Sequence, residues 1–250
     1  MTYCVGILVN DGLVMVADTR TNAGIDNVST FRKLHLFERR GEFVAALATA
    51  GNLSVTQSIL SHLHEGIEDP VTGHRELLVE QTSMFRAAQL VGNAVRRVYD
   101  TDGQAIEQHA SAFDVSILLG GQMKGRDPRL FMIYRAGNFI EASVDSPFLQ
   151  IGEHKYGKPI LDRAVTSETG LDDALKLGLI SMDSTMRSNL GVGMPFDIAV
   201  IRRDMMSFEM TKRVEADDTY FHDLRERWST ALRDAHLAIP RPPYEKLQRK

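Results

Sequence analysis

The chain reads as strands, two helices, strands, two helices, strands, an order that predicts an α+β fold. Two observations carry this reading. Strand segments arrive as hairpin pairs, so their pairing is antiparallel rather than the crossover of a parallel sheet. Helical segments fall in pairs between the strand groups, where they would cover the outer sides of two antiparallel sheets packed face to face.

The first strand alternates, with Tyr3, Val5, Ile7 and Val9 on one face and Cys4, Gly6 and Leu8 on the other. Asn10-Asp11-Gly12 is a strong hairpin signal, because Asn and Gly tolerate positive φ. Residues 13–18, LVMVAD, return. A second hairpin joins 33–40 to 42–50 through Gly41. Helices are expected over 51–66, from Leu53, Leu60 and Leu63, and over about 75–100. The second carries Leu77, Met84, Phe85, Ala88, Val91, Val95 and Val98 near a 3.6-residue period. Strands return at 113–121, 129–135 and 147–152, with Ala136-Gly137-Asn138 as a turn into one more short strand. Two further helices follow, about 154–166 and 171–189. The second opens on Asp172-Asp173, which suits the positive end of the helix dipole. Strands at 196–203 and 206–212 close the set.

This reads as one domain over 1–212, without internal repeat or low-complexity linker. Residues 213–250 differ. Phe221, Leu224, Trp228, Leu232 and Ala235 share a helical face within 218–236, and Asp217-Asp218 suits an N-cap. The stretch 239–250 is Pro-rich and basic, so it reads as a solvated tail or as an arm laid on a neighbouring subunit.

Bulk composition excludes several classes. The 250 residues carry 43% hydrophobic and 25% charged side chains and a net charge of −4, so no strong field for nucleic acid or anionic membrane is expected. There is neither a membrane-length apolar run nor the pattern of a signal peptide. With Cys4 as the single cysteine, no internal disulfide can form, and a reducing, cytoplasmic setting fits. The chain has no G-x-S-x-G elbow, Walker loop, C-x-x-C or H-E-x-x-H. Its histidines are scattered. The expectation is therefore no metal and no cofactor.

What remains is the N-terminus. Removal of Met1, which a small second residue permits, would give Thr2 a free α-amine of intrinsic pKa near ~8. Such an amine accepts the proton of its own threonine hydroxyl. A site of this kind also needs a cation, a carboxylate to orient it and donors for an oxyanion. Asp18 ends the strand that folds back beside Thr2, and Lys33 begins the next and can reach both. Singly, each reads as an ordinary loop or surface residue; together they read as a constellation.

The run T-x-x-x-G, D-G, V-A-D-T-R-x-x-A-G, F-R-K and A-x-A-x-A-G resembles the start of a proteasome β-type subunit. More closely, T-Y-C-V-G, A-D-T-R-T-N-A-G-I-D and S-T-F-R-K-L-H resemble the bacterial Anbu, or ancestral β subunit, family. The resemblance implies an N-terminal nucleophile hydrolase with a four-layer αββα sandwich. It implies Thr2 as nucleophile, Asp18 as its carboxylate and Lys33 as catalytic lysine. Gly51 would supply an oxyanion-hole N–H, and Asn22 with Gly51 would hold an extended substrate by main-chain hydrogen bonds. Asp183 matches a carboxylate near the nucleophile's amine, with Ser188 as its serine partner. The family's Gly-Ser-Gly turn is replaced by Ile151-Gly152-Glu153.

The resemblance further implies a threonine peptidase acting on a peptide or unfolded protein, in a homo-oligomer built as a ring or an open spiral. Two other readings stay open. One is amide hydrolysis of a small molecule or modified peptide by the same residues. The other is a catalytically silent structural subunit of this fold. Ala46, Ala48, Thr49 and Ala50 read equally as a permissive pocket or as core.

Overall fold

A computed structural model describes residues 1–22, 28–69, 72–109 and 113–243. In chain order the strands are β1 (Tyr3–Val9), β2 (Gly12–Asp18), β3 (Arg20–Asn22), β4 (Val28–Thr30), β5 (Leu34–Arg39), β6 (Phe43–Gly51), β7 (Ile67–Glu68), β8 (Arg75–Glu76), β9 (Val115–Met123), β10 (Arg129–Ile133), β11 (Phe139–Glu141), β12 (Phe148–Gly152), β13 (Phe196–Arg202) and β14 (Met210–Val214). The helices are α1 (Leu53–Glu65), α2 (Met84–Val98), α3 (Gln104–His109), α4 (Lys158–Ala164), α5 (Leu171–Ser188) and α6 (Thr219–Ala238). Met1–Ala216 and Asp217–Lys250 form two separate compact units.

Asn10-Asp11-Gly12 turns the chain as expected, pairing Cys4 with Ala17 and Val9 with Gly12. The first sheet runs β12-β1-β2-β13-β14, and the second β11-β10-β9-β6-β5. Every pairing in both is antiparallel. The two inner faces meet in an apolar layer of Leu13, Met15 and Ala17 against Val44, Ala46, Ala48, Leu118 and Leu130. Ala46, Ala48 and Ala50 belong to this layer, so the alanine run is core. Small side chains there let the sheets close on one another, and their burial contributes ~25 cal/mol per Å² of apolar surface.

On the outer face of the second sheet, Val55, Ile59 and Leu63 of α1 and Ala87, Ala88 and Val91 of α2 cover Ala45, Leu47, Leu119 and Phe131. On the outer face of the first, α5 lies against β1 and β2, and α4 packs on α5. The result is the expected α+β, four-layer αββα sandwich.

Several boundaries differ from expectation for local reasons. Gly51 belongs to β6, and α1 starts only after Asn52, whose side chain accepts from the Ser54 N–H at 3.0 Å. The α2 segment does not begin at 75: Arg75–Glu76 pair with Ile67–Glu68, and Leu78–Glu80 form one 3-10 turn. The helix starts where Ser83 accepts from Arg86 N–H at 3.1 Å, a cap worth ~1 kcal/mol. Leu77 is therefore off the helical stripe. Only Lys158–Ala164 of the expected 154–166 is helical, with Pro159 in its first turn and Val165 extended. The last strand begins at Met210 rather than 206, because Asp204 and Met206 take positive φ and turn the chain.

In the second unit, Asp218 caps α6 by accepting from Phe221 N–H at 2.9 Å. Arg227 pairs with Asp223 one turn earlier at 2.6 Å. Residues 244–250 of the Pro-rich tail lie outside the described residues. Among the described residues, no helix is long and apolar enough to cross a membrane.

Candidate active site

Asp18 is the last residue of β2 and is completely buried. A carboxylate at that depth needs partners, and the fold brings three hydrogen bonds to it. Its Oδ1 accepts from Lys33 Nζ at 2.8 Å and from the Tyr3 N–H at 2.9 Å. Its Oδ2 accepts from the Arg20 N–H at 3.2 Å. Burial raises the Asp18 carboxyl above the usual carboxylate range, and the Lys33 charge and these donors pull it back down.

Lys33 lies just before β5 and is only 6% exposed. Its backbone is pinned by Thr49 N–H, which donates to the Lys33 carbonyl at 3.0 Å. Its ammonium has three donors to place. One goes to Asp18, one to the Arg20 carbonyl at 2.6 Å, and one to the Met1 carbonyl at 3.4 Å. The third contact carries the functional argument. It presents a cation, held by a buried carboxylate, to the peptide group that joins residue 1 to Thr2.

Thr2 sits just ahead of β1, with its carbonyl accepting from the Glu153 N–H at 2.7 Å. Gly152 takes φ +79°, and a Cβ there would run into the Thr2 carbonyl. No side chain fits that approach. The next residue, Tyr3, is fixed by its buried hydroxyl, which shares a hydrogen bond with Ser181 Oγ of α5 at 2.5 Å and accepts from Gln150 Nε2 at 2.6 Å. Burial pushes the Tyr3 phenol well above its ordinary range, so it stays neutral.

Gly51 closes β6 at φ +114°, where a Cβ would strike the Asp114 carbonyl. Two residues earlier, the Thr49 carbonyl accepts from Cys4 Sγ at 3.8 Å, which ties the end of β6 to the start of β1. Gly51 is exposed at the junction of strand and helix, two residues beyond the Thr49 that Cys4 of β1 contacts. Asn22 ends β3, paired with Val28, and residues 23–27 lie outside the described residues.

Asp183 is buried on α5, two residues beyond the Ser181 that meets Tyr3. Its Oδ2 accepts from Arg187 Nε at 3.0 Å, one turn along. Ser188 is the last residue of α5 and exposed. Five residues along a helix amount to about 140° around its axis, so the structure does not bring Ser188 to Asp183.

Three neighbours of these residues were not singled out as site residues from the sequence: Arg187, Glu153 and Asn189. Arg187 carried a signal, the i, i+4 spacing from Asp183. Glu153 stood out only as a departure from the family's Gly-Ser-Gly turn, and its contact with Asn189, 36 residues away, carried no signal. Asn189 Nδ2 donates to Glu153 Oε2 at 2.6 Å, and Asn189 Oδ1 accepts from the Gly191 N–H at 2.9 Å.

No protein-family model and no curated protein matches the chain. Solved structures do. An Anbu (Gly-1) mutant from Hyphomicrobium sp. strain MC1 is 47% identical over 98% of this chain and 100% of its own, with a TM-score of 0.90. Anbu from Yersinia bercovieri is 45% identical over 98% and 100%, with a TM-score of 0.89. Anbu from Pseudomonas aeruginosa, solved as a helical assembly, is 44% identical over 96% and 98%, with a TM-score of 0.88. Identity at this level across nearly the full length of both partners shows that the chain belongs to the Anbu (ancestral β-subunit) family of proteasome-like N-terminal nucleophile proteins.

Proposed function

We propose that the protein is a threonine peptidase that cleaves peptide bonds through Thr2 once Met1 is removed. The contact of Lys33 Nζ with the Met1 carbonyl, while Asp18 holds the same ammonium, is the observation that carries this reading. With Met1 gone, the Thr2 hydroxyl attacks the substrate carbonyl carbon and its proton passes to the Thr2 α-amine. Lys33 lowers the cost of the developing alkoxide, and Asp18 keeps it aimed. The Gly51 N–H donates to the oxyanion. The amine then protonates the departing peptide nitrogen, leaving an ester on Thr2 that water hydrolyses.

Extended peptides would be held by main-chain bonds at Asn22 and Gly51, by strand addition. The chain works as a homo-oligomer, as the helical assembly of the Pseudomonas aeruginosa relative supports. A lone, buried cysteine suits the cytoplasm.

The test is intact mass after incubation with a peptide epoxyketone, which needs a threonine hydroxyl and its free amine together. The expected result is a chain lacking Met1 and carrying one inhibitor, with Thr2→Ala unlabelled but assembled as before. A chain that keeps Met1, or a Thr2→Ala variant with full turnover of peptide substrate, would overturn the reading.

A further inference from the structure

We infer that Glu153, braced by Asn189, is a positioning residue that holds the α-ammonium form of Thr2 and sets the pH at which the nucleophile becomes active. This rests on the N-terminal threonine reading above. Four observations place the pair. The Glu153 N–H holds the Thr2 carbonyl at 2.7 Å, so the residue is anchored to the nucleophile by its own backbone. Its carboxylate is fixed from the other side by Asn189 Nδ2 at 2.6 Å and is only 16% exposed. Asn189 turns its Oδ1 to the Gly191 N–H, and that oxygen lies 3.1 Å from where a Gly191 Cβ would stand. The Met1 Cβ lies 2.7 Å from the same point.

Gly191 and Asn189 thus border the space that Met1 fills, and Glu153 is joined to that border through Asn189 and to Thr2 through its own N–H. When Met1 leaves, that space borders a new primary amine. An amine that forms there meets an acceptor oxygen and a fixed carboxylate, where the family's turn has a neutral serine. A carboxylate favours the charged amine and so raises its pKa.

Other charges surround this space. Asp18 and Lys33 stand at the end of β2 and ahead of β5, and Asp183 with Arg187 lies on α5. Lys155 is 3.6 Å from the Glu153 carboxylate, and His154 follows Glu153 in the same turn. Arg20 packs beside Gly193 and donates to the Leu190 carbonyl at 2.8 Å. Of these, only Lys155 loses a partner in Glu153→Gln, and Lys155→Met as a control separates its contribution from that of the pair.

The experiment reads the amine directly. Full-length protein without Met1 is made from a fusion cleaved immediately before Thr2. It is treated with limiting acetic anhydride across pH 5–10, and α-amine acetylation is read from the mass of the N-terminal peptide. Glu153→Gln should lower the apparent amine pKa by ~1 unit, the scale of one charge removed at close range. Asn189→Asp, which adds a carboxylate at the same border, should raise it. A merely structural role moves neither in a charge-dependent direction. Three superimposed titrations overturn the inference, and if Glu153→Gln does not fold, an unshifted or lowered Asn189→Asp titration does so alone. Shifted titrations in a protein that no epoxyketone labels would keep the role of Glu153 and sink the peptidase reading instead.

Discussion

Lys33 is a lysine with no room to be a surface residue: its ammonium is divided between a carboxylate and two carbonyls, at 2.8, 2.6 and 3.4 Å. Lys33→Ala would leave Asp18 buried and unpaired, so it should cost catalysis ~10²-fold or more and also stability. Lys33→Met keeps the volume and loses only the charge, so it separates the electrostatic effect from the packing defect. Epoxyketone labelling rates corrected for folded fraction should fall in both, and an unchanged rate would remove Lys33 from the mechanism. Cys4 offers a second residue-level prediction. Burial, and next the Asp18 charge, push its thiol far above the ordinary range. Native protein should therefore resist a maleimide at pH 7.5 and react on unfolding, as counted by mass. Thr2, Asp18 and Lys33 could be picked out in the sequence because each sits at an element end: the β1–β2 hairpin register sets Asp18 beside the start of β1, and Lys33 reaches it from the other sheet. The Glu153–Asn189 contact could not be, because it joins the residue after β12 to the C-cap of α5, 36 positions along the chain.

At the level of elements, the legible parts were those where both local signals and burial agree. The β1–β2 hairpin is such a case, with a glycine turn between two strands buried on both faces. The start of α2 is the opposite case. Apolar spacing continued back through Leu77, but Ser83 caps the helix and the upstream residues satisfy their backbone in a two-residue ladder and a 3-10 turn. Periodicity cannot see that choice, because a buried residue before a cap looks like one after it. At the junction of β6 and α1, Asn52 fixes the first turn directly behind Gly51, the residue proposed to supply the oxyanion N–H. Asn52→Ala should lower stability by ~1 kcal/mol, or about 2–4 °C in Tm for a chain of this size. Asn52→Asp keeps the acceptor and should restore it. Slower epoxyketone labelling in Asn52→Ala, recovered in Asn52→Asp, would tie the cap to the orientation of the Gly51 N–H, and equal rates would make the cap a matter of stability alone.

For the whole molecule, the sandwich architecture followed from element order, but its response to acid depends on a residue that no pattern marked. His35 lies on β5, and its Nε2 is buried without a hydrogen-bond partner among the described residues. Burial, and then the nearby charges of His64 and Arg32, push its pKa down to about 4 from 6.5. In the unfolded chain the imidazole takes a proton near pH 6.5, and in the folded one it resists until about 4. Between these values the unfolded state binds more protons, so stability rises with pH and is lost as pH falls through the window. The loss amounts to at most ~3 kcal/mol by pH 4. Asp18 acts with the opposite sign: its raised carboxyl holds a proton longer in the folded state, so its contribution is complete below the unfolded pKa and declines as pH rises through the folded one. Asp18 is present in both the natural chain and a His35 variant, so the difference between their pH profiles belongs to His35. His35→Leu removes both the titration and the unsatisfied nitrogen. At fixed protein concentration, which holds any assembly constant, its urea midpoint at pH 7.5 should equal or exceed that of the natural chain. Its decline from pH 7.5 to pH 5 should be clearly shallower. Two parallel pH profiles would show that the ring finds a proton partner in solution, and that another group sets the acid limit of the fold.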